Sequence, residues 1–348
     1  MVAAPGRSGP AGRWLVTPDR LTGLGYSSAR ALLASLLSAL VVAALLLRGA
    51  TTPPEFLHDA IVATLRHGGD YYDAARDLLR TEPDARAARM LPSTLAVVAG
   101  AMPPWALTAL VATGLTILLW LGGLRLGALL ARSGGALLIV SLLAFGIVAT
   151  AALWLTAPHA GAAALLSAIA LVARDRKRVA TSVAVACAAA LIDPAALVTL
   201  MAMGALALLD GDRGEPLHWL AALIVAACAL GLHLHTLGTP HAPAVTLAPE
   251  GALARLVGAA FPDAPGGIGA LLLVLAVFGW AVLADPLGPR VLALLVAGVA
   301  LDGVLGIRSA TLATALVAPG LALAPAGLVT LVRRTVVRRR ITVTRMTR

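Results

Sequence analysis

Ten apolar segments alternate with short stretches that carry charge, proline or glycine, and this alternation limits what the chain can fold into. Hydrophobic residues make up 59% of the 348 residues, charged residues only 13%, and the mean hydropathy is +0.91. A bilayer crossing requires about 20 apolar residues in a helix, so we predict an all-α, polytopic membrane protein with about 10 (8–11) transmembrane helices. The segments span roughly 31–47, 91–124, 135–156, 159–173, 179–192, 194–209, 217–237, 267–284, 290–301 and 309–332.

The net charge of +10 comes almost wholly from arginine, which is concentrated at the two ends of the chain. Seven arginines follow the last apolar segment with no acid among them: Arg333, Arg334, Arg338, Arg339, Arg340, Arg345 and Arg348. Four more precede the first segment. The positive-inside rule therefore predicts cytoplasmic N- and C-termini and an even number of crossings. Arginine at membrane edges also argues against nucleic acid as a partner.

This orientation divides the chain into three parts. Residues 1–30 form a cytoplasmic N-terminal tail, 31–332 a transmembrane domain, and 333–348 a basic cytoplasmic tail. The transmembrane domain includes extracytoplasmic loops at 48–90 and 238–265. Segment 91–124 is expected to cross once with a kink at Met102-Pro103-Pro104, because Arg125 and Arg132 then reach the cytoplasm.

Acidic residues concentrate in the first outer loop. Seven of the chain's 17 acids lie within 48–90, namely Glu55, Asp59, Asp70, Asp73, Asp77, Glu82 and Asp84. Ionisable groups are costly in lipid, so this loop is the first place to look for chemistry. Periodicity predicts an amphipathic helix over 55–66, and Asp70 is placed to cap a second helix over 71–79. Asp73 and Arg76 are spaced for an ion pair on that helix.

The loop also carries a recognisable order of residues: an apolar helix, an early acid, a double tyrosine, then an Arg-x-Leu-Pro entry to the next helix. This order resembles the GT-C superfamily of membrane glycosyltransferases, and within it the bacterial polyprenyl-phosphate mannosyltransferase-like group. The matching residues are Asp70, Tyr71, Tyr72, Ala74, Ala75, Leu78, Leu79, Arg89, Leu91 and Pro92. The polar turns at Pro158-His159 and Asp193-Pro194 fit the general layout.

The resemblance implies a bacterial inner (plasma) membrane location. It also implies transfer of a sugar from a polyprenyl-phosphate donor to a lipid-linked or glycan acceptor, within membrane lipids and without a cofactor. One carboxylate would act as general base, and the leaving lipid phosphate would need cationic partners. Asp70 is the first candidate base. The family's acid commonly stands a few residues before the tyrosine, so Asp59 remains its rival. The candidate substrate-binding residues are Tyr71, Tyr72, Arg89, His159, Arg66 and Arg308.

Other interpretations of the same residues stay open. Asp70 can be a plain helix cap, and Arg89 an interfacial anchor. His233 and His235, two residues apart, would point away from each other on a helix, so no metal site is predicted. A transporter or flippase for a lipid or small solute, or a non-catalytic scaffold, would share this composition. The acids at segment edges favour interfacial chemistry over transport.

Overall fold

The computed structural model describes residues 14–17, 19–46, 49, 55–81, 91–131, 133–175, 178–211, 214–238, 249–265 and 267–336. Within these ranges the chain is helical, without strands beyond one isolated bridge between Leu15 and Leu130, which confirms the all-α prediction. The helices are α1 (Tyr26–Leu46), α2 (Phe56–Arg66), α3 (Tyr71–Thr81), α4 (Ser93–Ala101), α5 (Pro104–Gly127), α6 (Ser133–Thr156), α7 (Pro158–Ala173), α8 (Val179–Ile192), α9 (Leu197–Leu209), α10 (Glu215–Leu237), α11 (Pro249–Ala260), α12 (Ile268–Val282), α13 (Leu287–Leu305), α14 (Thr314–Val317) and α15 (Gly320–Val336).

Five helices in the described part of the chain, α1, α5, α6, α10 and α13, are long and apolar enough to cross a membrane. A bent pair, formed by Ser309–Val317 and Gly320–Val336 at 73°, raises the number to six if it is one span. The chain is therefore a helical membrane protein of several spans. Shorter apolar helices such as α7, α8 and α12 fall below the length of a full crossing, so ten crossings stays a prediction.

The short helix α7 lies at the centre of the bundle. Nearly all its residues are buried, many of them alanine, and it packs against α5, α6 and α8. The longer helices α1, α5 and α10 are far less buried inside the protein and expose large apolar side chains. Short apolar helices are tolerated at membrane depth where other protein covers them, which is the position of α7.

The structure divides segment 91–124 more sharply than the predicted kink. Helix α4 ends where Pro103 cannot donate a backbone hydrogen bond, and α5 begins at Pro104. The separate α4 packs mainly against α2 of the first loop. Only α5, with 24 residues, is long enough to cross a membrane by itself. Segment 91–124 thus contains one helix of spanning length, α5, and one short helix, α4, which packs against the first loop.

Charged residues lie at two opposite ends of the helix bundle. The five consecutive helices α6 to α10 run between these ends, each in the direction opposite to the helix before it. At what we call the arginine end, the Arg174 side chain at the end of α7 pairs with Glu215 at the start of α10, with Nε to Oε1 at 2.6 Å. Arg290 donates to Asp210 over 2.7 Å, and Arg125 donates to the carbonyl of Val172. The other end, which we call the loop end, carries α2, α3 and α4.

Close packing of α12 on α15 generates a stability prediction. A Cβ atom at Gly279 would overlap the backbone of Gly320, so Gly279→Ala forces the two helices apart. Overpacking of this kind costs about 1–3 kcal/mol, and the unfolding midpoint in detergent should fall. Gly231 in α10 is the matched control, because its Cβ position is open, and Gly231→Ala should leave the midpoint unchanged or raise it. Equal midpoints for both variants would contradict the close approach.

Candidate functional site

A buried carboxylate, Glu55, connects three distant parts of the chain at the loop end. Its Oε2 atom lies 2.8 Å from Nδ1 of His159 and accepts the backbone N–H of the same residue at 3.2 Å. Its Oε1 atom accepts from Nη1 of Arg308 at 3.1 Å. An ionised carboxylate only accepts hydrogen bonds, so Nδ1 of His159 carries the hydrogen in this pair. The arrangement fixes the loop, α7 and the segment after α13 together.

Local backbone structure explains why these groups meet. Glu55 directly precedes α2, and its own N–H donates to the carbonyl of Thr156 at the end of α6. His159 is the second residue of α7, after Pro158, where a backbone N–H has no partner within the helix. Glu55 satisfies that N–H and places negative charge at the positive end of the helix dipole.

Arg308 has an unusual backbone. It adopts a left-handed conformation with φ of 55°, the one positive φ outside glycine in the described ranges. Gly306, also left-handed, ends α13, and a short 3-10 helix begins at Ser309. The carbonyl of Arg308 accepts from the Thr311 hydroxyl at 2.8 Å, which holds this turn. A non-glycine residue in this region costs of the order of 1–3 kcal/mol and is often found at functional sites.

Two further ionisable groups complete what we call the loop-end cluster: Glu55, His58, His159, Asp193 and Arg308. The rings of His58 and His159 meet edge to face, with centroids 4.9 Å apart. Asp193 is buried between α8 and the next 3-10 helix, where its Oδ1 accepts the N–H of Ala195 at 2.9 Å. Its carboxylate is within electrostatic range of His159, Glu55 and Arg308.

Burial and charge act in opposite directions on these groups. Burial raises the pKa of Glu55, but the hydrogen bonds from His159 and the charges of His159 and Arg308 outweigh it, so the pKa lies below its usual value. Burial raises the pKa of Asp193 to about 6. Burial, together with His159, lowers the pKa of His58 to about 4. At neutral pH, Glu55 is therefore ionised and His58 is neutral.

The two carboxylates predicted as catalytic bases lie on exposed surface at the loop end. Asp70 caps α3, since its Oδ1 accepts from the N–H groups of Tyr72 and Asp73 at 2.8 and 3.2 Å. Asp59 is exposed on α2 and lies within electrostatic range of His58. The expected exposed ion pair between Asp73 and Arg76 is present at 2.8 Å. A catalytic role for Asp70 or Asp59 stays a prediction.

The predicted substrate-binding residues divide into two groups. His159 and Arg308 meet at Glu55, whereas Tyr71, Tyr72 and Arg66 hold the loop helices in place. Tyr71 is buried and donates to the carbonyl of Leu91 at 3.1 Å. Tyr72 packs against its ring, with centroids 5.2 Å apart, and Arg66 donates to the carbonyl of Ala99. Arg89, the predicted phosphate partner, lies outside the described residues.

Glu55 was not singled out by the sequence analysis beyond its place among the loop acids. Its only local signals are the preceding Pro53-Pro54 and its place at the start of an amphipathic helix. The partners that distinguish it from Asp59 and Asp70 lie 104 and 253 residues further along the chain. No local pattern could join residues so far apart.

No group of three or more His, Cys, Asp or Glu side chains is placed to hold a metal ion in the part of the chain that the structure describes. The chemistry of the cluster is instead that of a carboxylate beside a guanidinium and two imidazoles. Comparison of the chain with protein-family profiles, curated proteins and solved structures found no match.

The neutral, buried His58 generates a pH prediction. In the unfolded chain its imidazole takes up a proton near pH 6.5, whereas in the folded protein it resists protonation until about pH 4. Stability should therefore fall as pH falls from 6.5 to 4, by about 3 kcal/mol. His58→Phe keeps an aromatic ring against His159 but removes this titration, so its unfolding midpoint should depend less on pH in that window.

The measurement compares unfolding midpoints of the two proteins at about pH 7 and about pH 4.5. Glu55, Asp59 and His159 also act on His58, and all three are retained in the variant. His67 is exposed, and His67→Phe serves as the control that should follow the wild-type slope. Parallel pH dependence in wild type and His58→Phe would show that His58 is not the group responsible.

Proposed function

We propose that the protein is a membrane glycosyltransferase, transferring a sugar from a polyprenyl-phosphate donor to a lipid-linked or glycan acceptor at the loop end. The observation that carries this proposal is the buried Glu55 carboxylate with Arg308 on one oxygen and His159 on the other. Sugar transfer needs a proton acceptor for the attacking hydroxyl and a cation for the departing phosphate. The resemblance of the loop at 70–92 to the GT-C superfamily supplies the donor class.

The reaction can be written around these groups. The acceptor oxygen attacks the anomeric carbon and loses its proton to a carboxylate. The bond from that carbon to the phosphate oxygen breaks, and its electron pair leaves with the polyprenyl phosphate. In this proposal Arg308 holds the phosphate through charge-assisted hydrogen bonds, which are stronger than neutral ones. Glu55 is the favoured base because it is removed from water and adjoins that cation, whereas Asp70 is exposed and caps a helix.

The location of the cluster supports surface chemistry on lipid-linked substrates. Glu55, His159 and Arg308 all lie at helix ends, beside the loop helices. Helix α5, which packs against α7, exposes apolar side chains along which a polyprenyl chain can lie. With the arginine end in the cytoplasm, this site faces the outside of a bacterial plasma membrane, and both termini are cytoplasmic.

Orientation is tested by labelling single cysteines after Cys187 and Cys228 are replaced with serine. His67→Cys at the loop end should react with a membrane-impermeant maleimide in intact cells, since His67 is exposed in the turn after α2. Ser133→Cys, exposed at the start of α6 near the arginine end, should react only after lysis. The reverse pattern would contradict the orientation and place the cluster on the cytoplasmic side.

The proposed base is tested by transfer of radiolabelled mannose from a polyprenyl-phosphate mannose in membranes that contain the protein. Glu55→Gln should lower the rate about 10²–10⁴-fold, because the amide cannot accept the proton. Asp70→Asn should retain activity, since asparagine caps helices as well as aspartate does. Asp59→Asn, on an exposed helix surface, should also retain it.

Each of the three variants replaces a carboxylate with the amide of the same size, so the three changes are comparable. Size-exclusion profiles verify that each variant folds. Loss in Asp70→Asn with full activity in Glu55→Gln would move the base to Asp70, and loss in Asp59→Asn alone would move it to Asp59. Unchanged transfer in all three variants would remove this catalytic assignment altogether.

A further inference from the structure

The contact between Arg308 and Glu55 is the accessible side of the loop-end cluster. The Arg308 side chain is 21% exposed, whereas those of Glu55 and His159 are each 4% exposed. The Arg308 contact at 3.1 Å is also longer than the His159 contact at 2.8 Å. A ligand that approaches the cluster therefore meets the guanidinium before it meets the carboxylate.

Within the part of the chain that the structure describes, the guanidinium of Arg308 has unused capacity for hydrogen bonding. A guanidinium has five N–H donors in a planar fork, and one of them serves Glu55 through Nη1. Phosphate offers several strong acceptor oxygens and can bind such a fork through two parallel hydrogen bonds. The left-handed backbone holds the residue in its turn, so the side chain can change partner without movement of the turn.

Glu55 does not depend on Arg308 for its position. Its Oε2 stays bound to both the backbone N–H and the side chain of His159, at the N-terminus of the buried helix α7. Loss of the Arg308 contact would free Oε1 alone. The two hydrogen bonds from His159 and the helix dipole would still favour its ionised form.

We propose that the phosphate of a lipid-linked donor takes over Arg308 and displaces Glu55 from it, so that donor binding exchanges one ion pair for another. The identity of the donor rests on the proposed function. Before the exchange, Arg308 is one of the charges that lower the pKa of Glu55. After it, Oε1 is free to accept a proton, so the base becomes available only when the donor is in place. Donor binding then precedes productive binding of the acceptor.

The exchange predicts a gain in affinity when the internal competitor is removed. The measurement is equilibrium binding of a C55 polyprenyl phosphate without sugar to the protein in phosphatidylcholine nanodiscs. Glu55→Gln should bind this probe about tenfold more tightly than wild type, equivalent to about 1.4 kcal/mol. Arg308→Gln should bind it at least about tenfold more weakly. In the Arg308→Gln background, Glu55→Gln should bring no further gain.

Two variants distinguish the effect of the direct contact between Glu55 and Arg308 from the effect of negative charge near Arg308. Glu55→Asp keeps the negative charge but is too short to span His159 and Arg308, so it should also bind more tightly than wild type. Asp193→Asn removes a nearby carboxylate charge that makes no hydrogen bond to Arg308, and it should change binding much less. Glu55→Asp also keeps the test decisive if Glu55→Gln does not fold.

Unchanged or weaker binding in both Glu55 variants would overturn the exchange. Inorganic phosphate should compete only at far higher concentration, and phosphatidylglycerol should not compete. Equal competition by phosphatidylglycerol would overturn the assignment of the site to a polyprenyl phosphate. The binding assay contains neither sugar nor acceptor, so it is independent of the transfer assay. If the binding changes are seen but the protein transfers no sugar, only the proposed transferase activity is rejected. If the protein transfers sugar but the binding changes are not seen, only the ion-pair exchange is rejected.

Discussion

The loop end depends on compensation of one buried negative charge. A carboxylate removed from water is stable only with close cationic and hydrogen-bonding partners, and breaking such a pair costs about 3–5 kcal/mol. Glu55 obtains these partners from the start of α7 and from the turn after α13. In return it satisfies a backbone N–H at the N-terminus of the central helix. The first loop, the bundle core and the segment leading to α15 are thereby held by one side chain.

The arginine end also contains a buried carboxylate, Glu215, but its charge is compensated by different partners. There Arg174 binds both oxygens of Glu215, and Trp219 donates to Oε1 of the same carboxylate at 3.0 Å. Arg290 is almost fully buried and reaches Asp210 through Nη2, while its Nε and Nη1 atoms have no hydrogen-bond partner among the described residues. These contacts join α7, α9, α10 and α13. The side chain of Asp210 is 41% exposed, whereas both members of the Arg174–Glu215 pair are buried.

The predictions that succeeded depended on local patterns. Apolar segments became helices because intrahelical hydrogen bonds satisfy the backbone wherever water is absent. Asp70 caps α3, and Asp73 pairs with Arg76, because both interactions are set by spacing within a single helix. The proline pair at 103–104 was predicted as a kink within one helix, whereas the structure ends α4 before it and begins a separate helix α5 there. Sequence alone did not show that the piece before it would form a separate helix that packs mainly on α2.

The parts that sequence could not supply depend on tertiary contact. Helix α7 is too short for an ordinary crossing, and only its burial by longer neighbours explains how it is accommodated. His159 and Arg308 were candidate residues, but nothing in their local sequence indicated that they share Glu55. Asp59 and Asp70 lie in the same acidic loop as Glu55, and the difference among the three is that only the side chain of Glu55 is buried. That burial arises from packing against residues more than 100 positions away in the chain.

The asymmetry between the two ends bears on the choice between transferase and transporter. Alternating access requires each end of a bundle to open in turn, and thus to break its closing contacts. At the arginine end this would separate a buried ion pair that is bound through both oxygens, at the full cost of leaving Glu215 uncompensated. At the loop end a ligand phosphate can replace the carboxylate on Arg308, so the guanidinium stays paired and Glu55 keeps both hydrogen bonds from His159. Access from one side is therefore far less costly than access from both, which supports chemistry at one surface over transport between two.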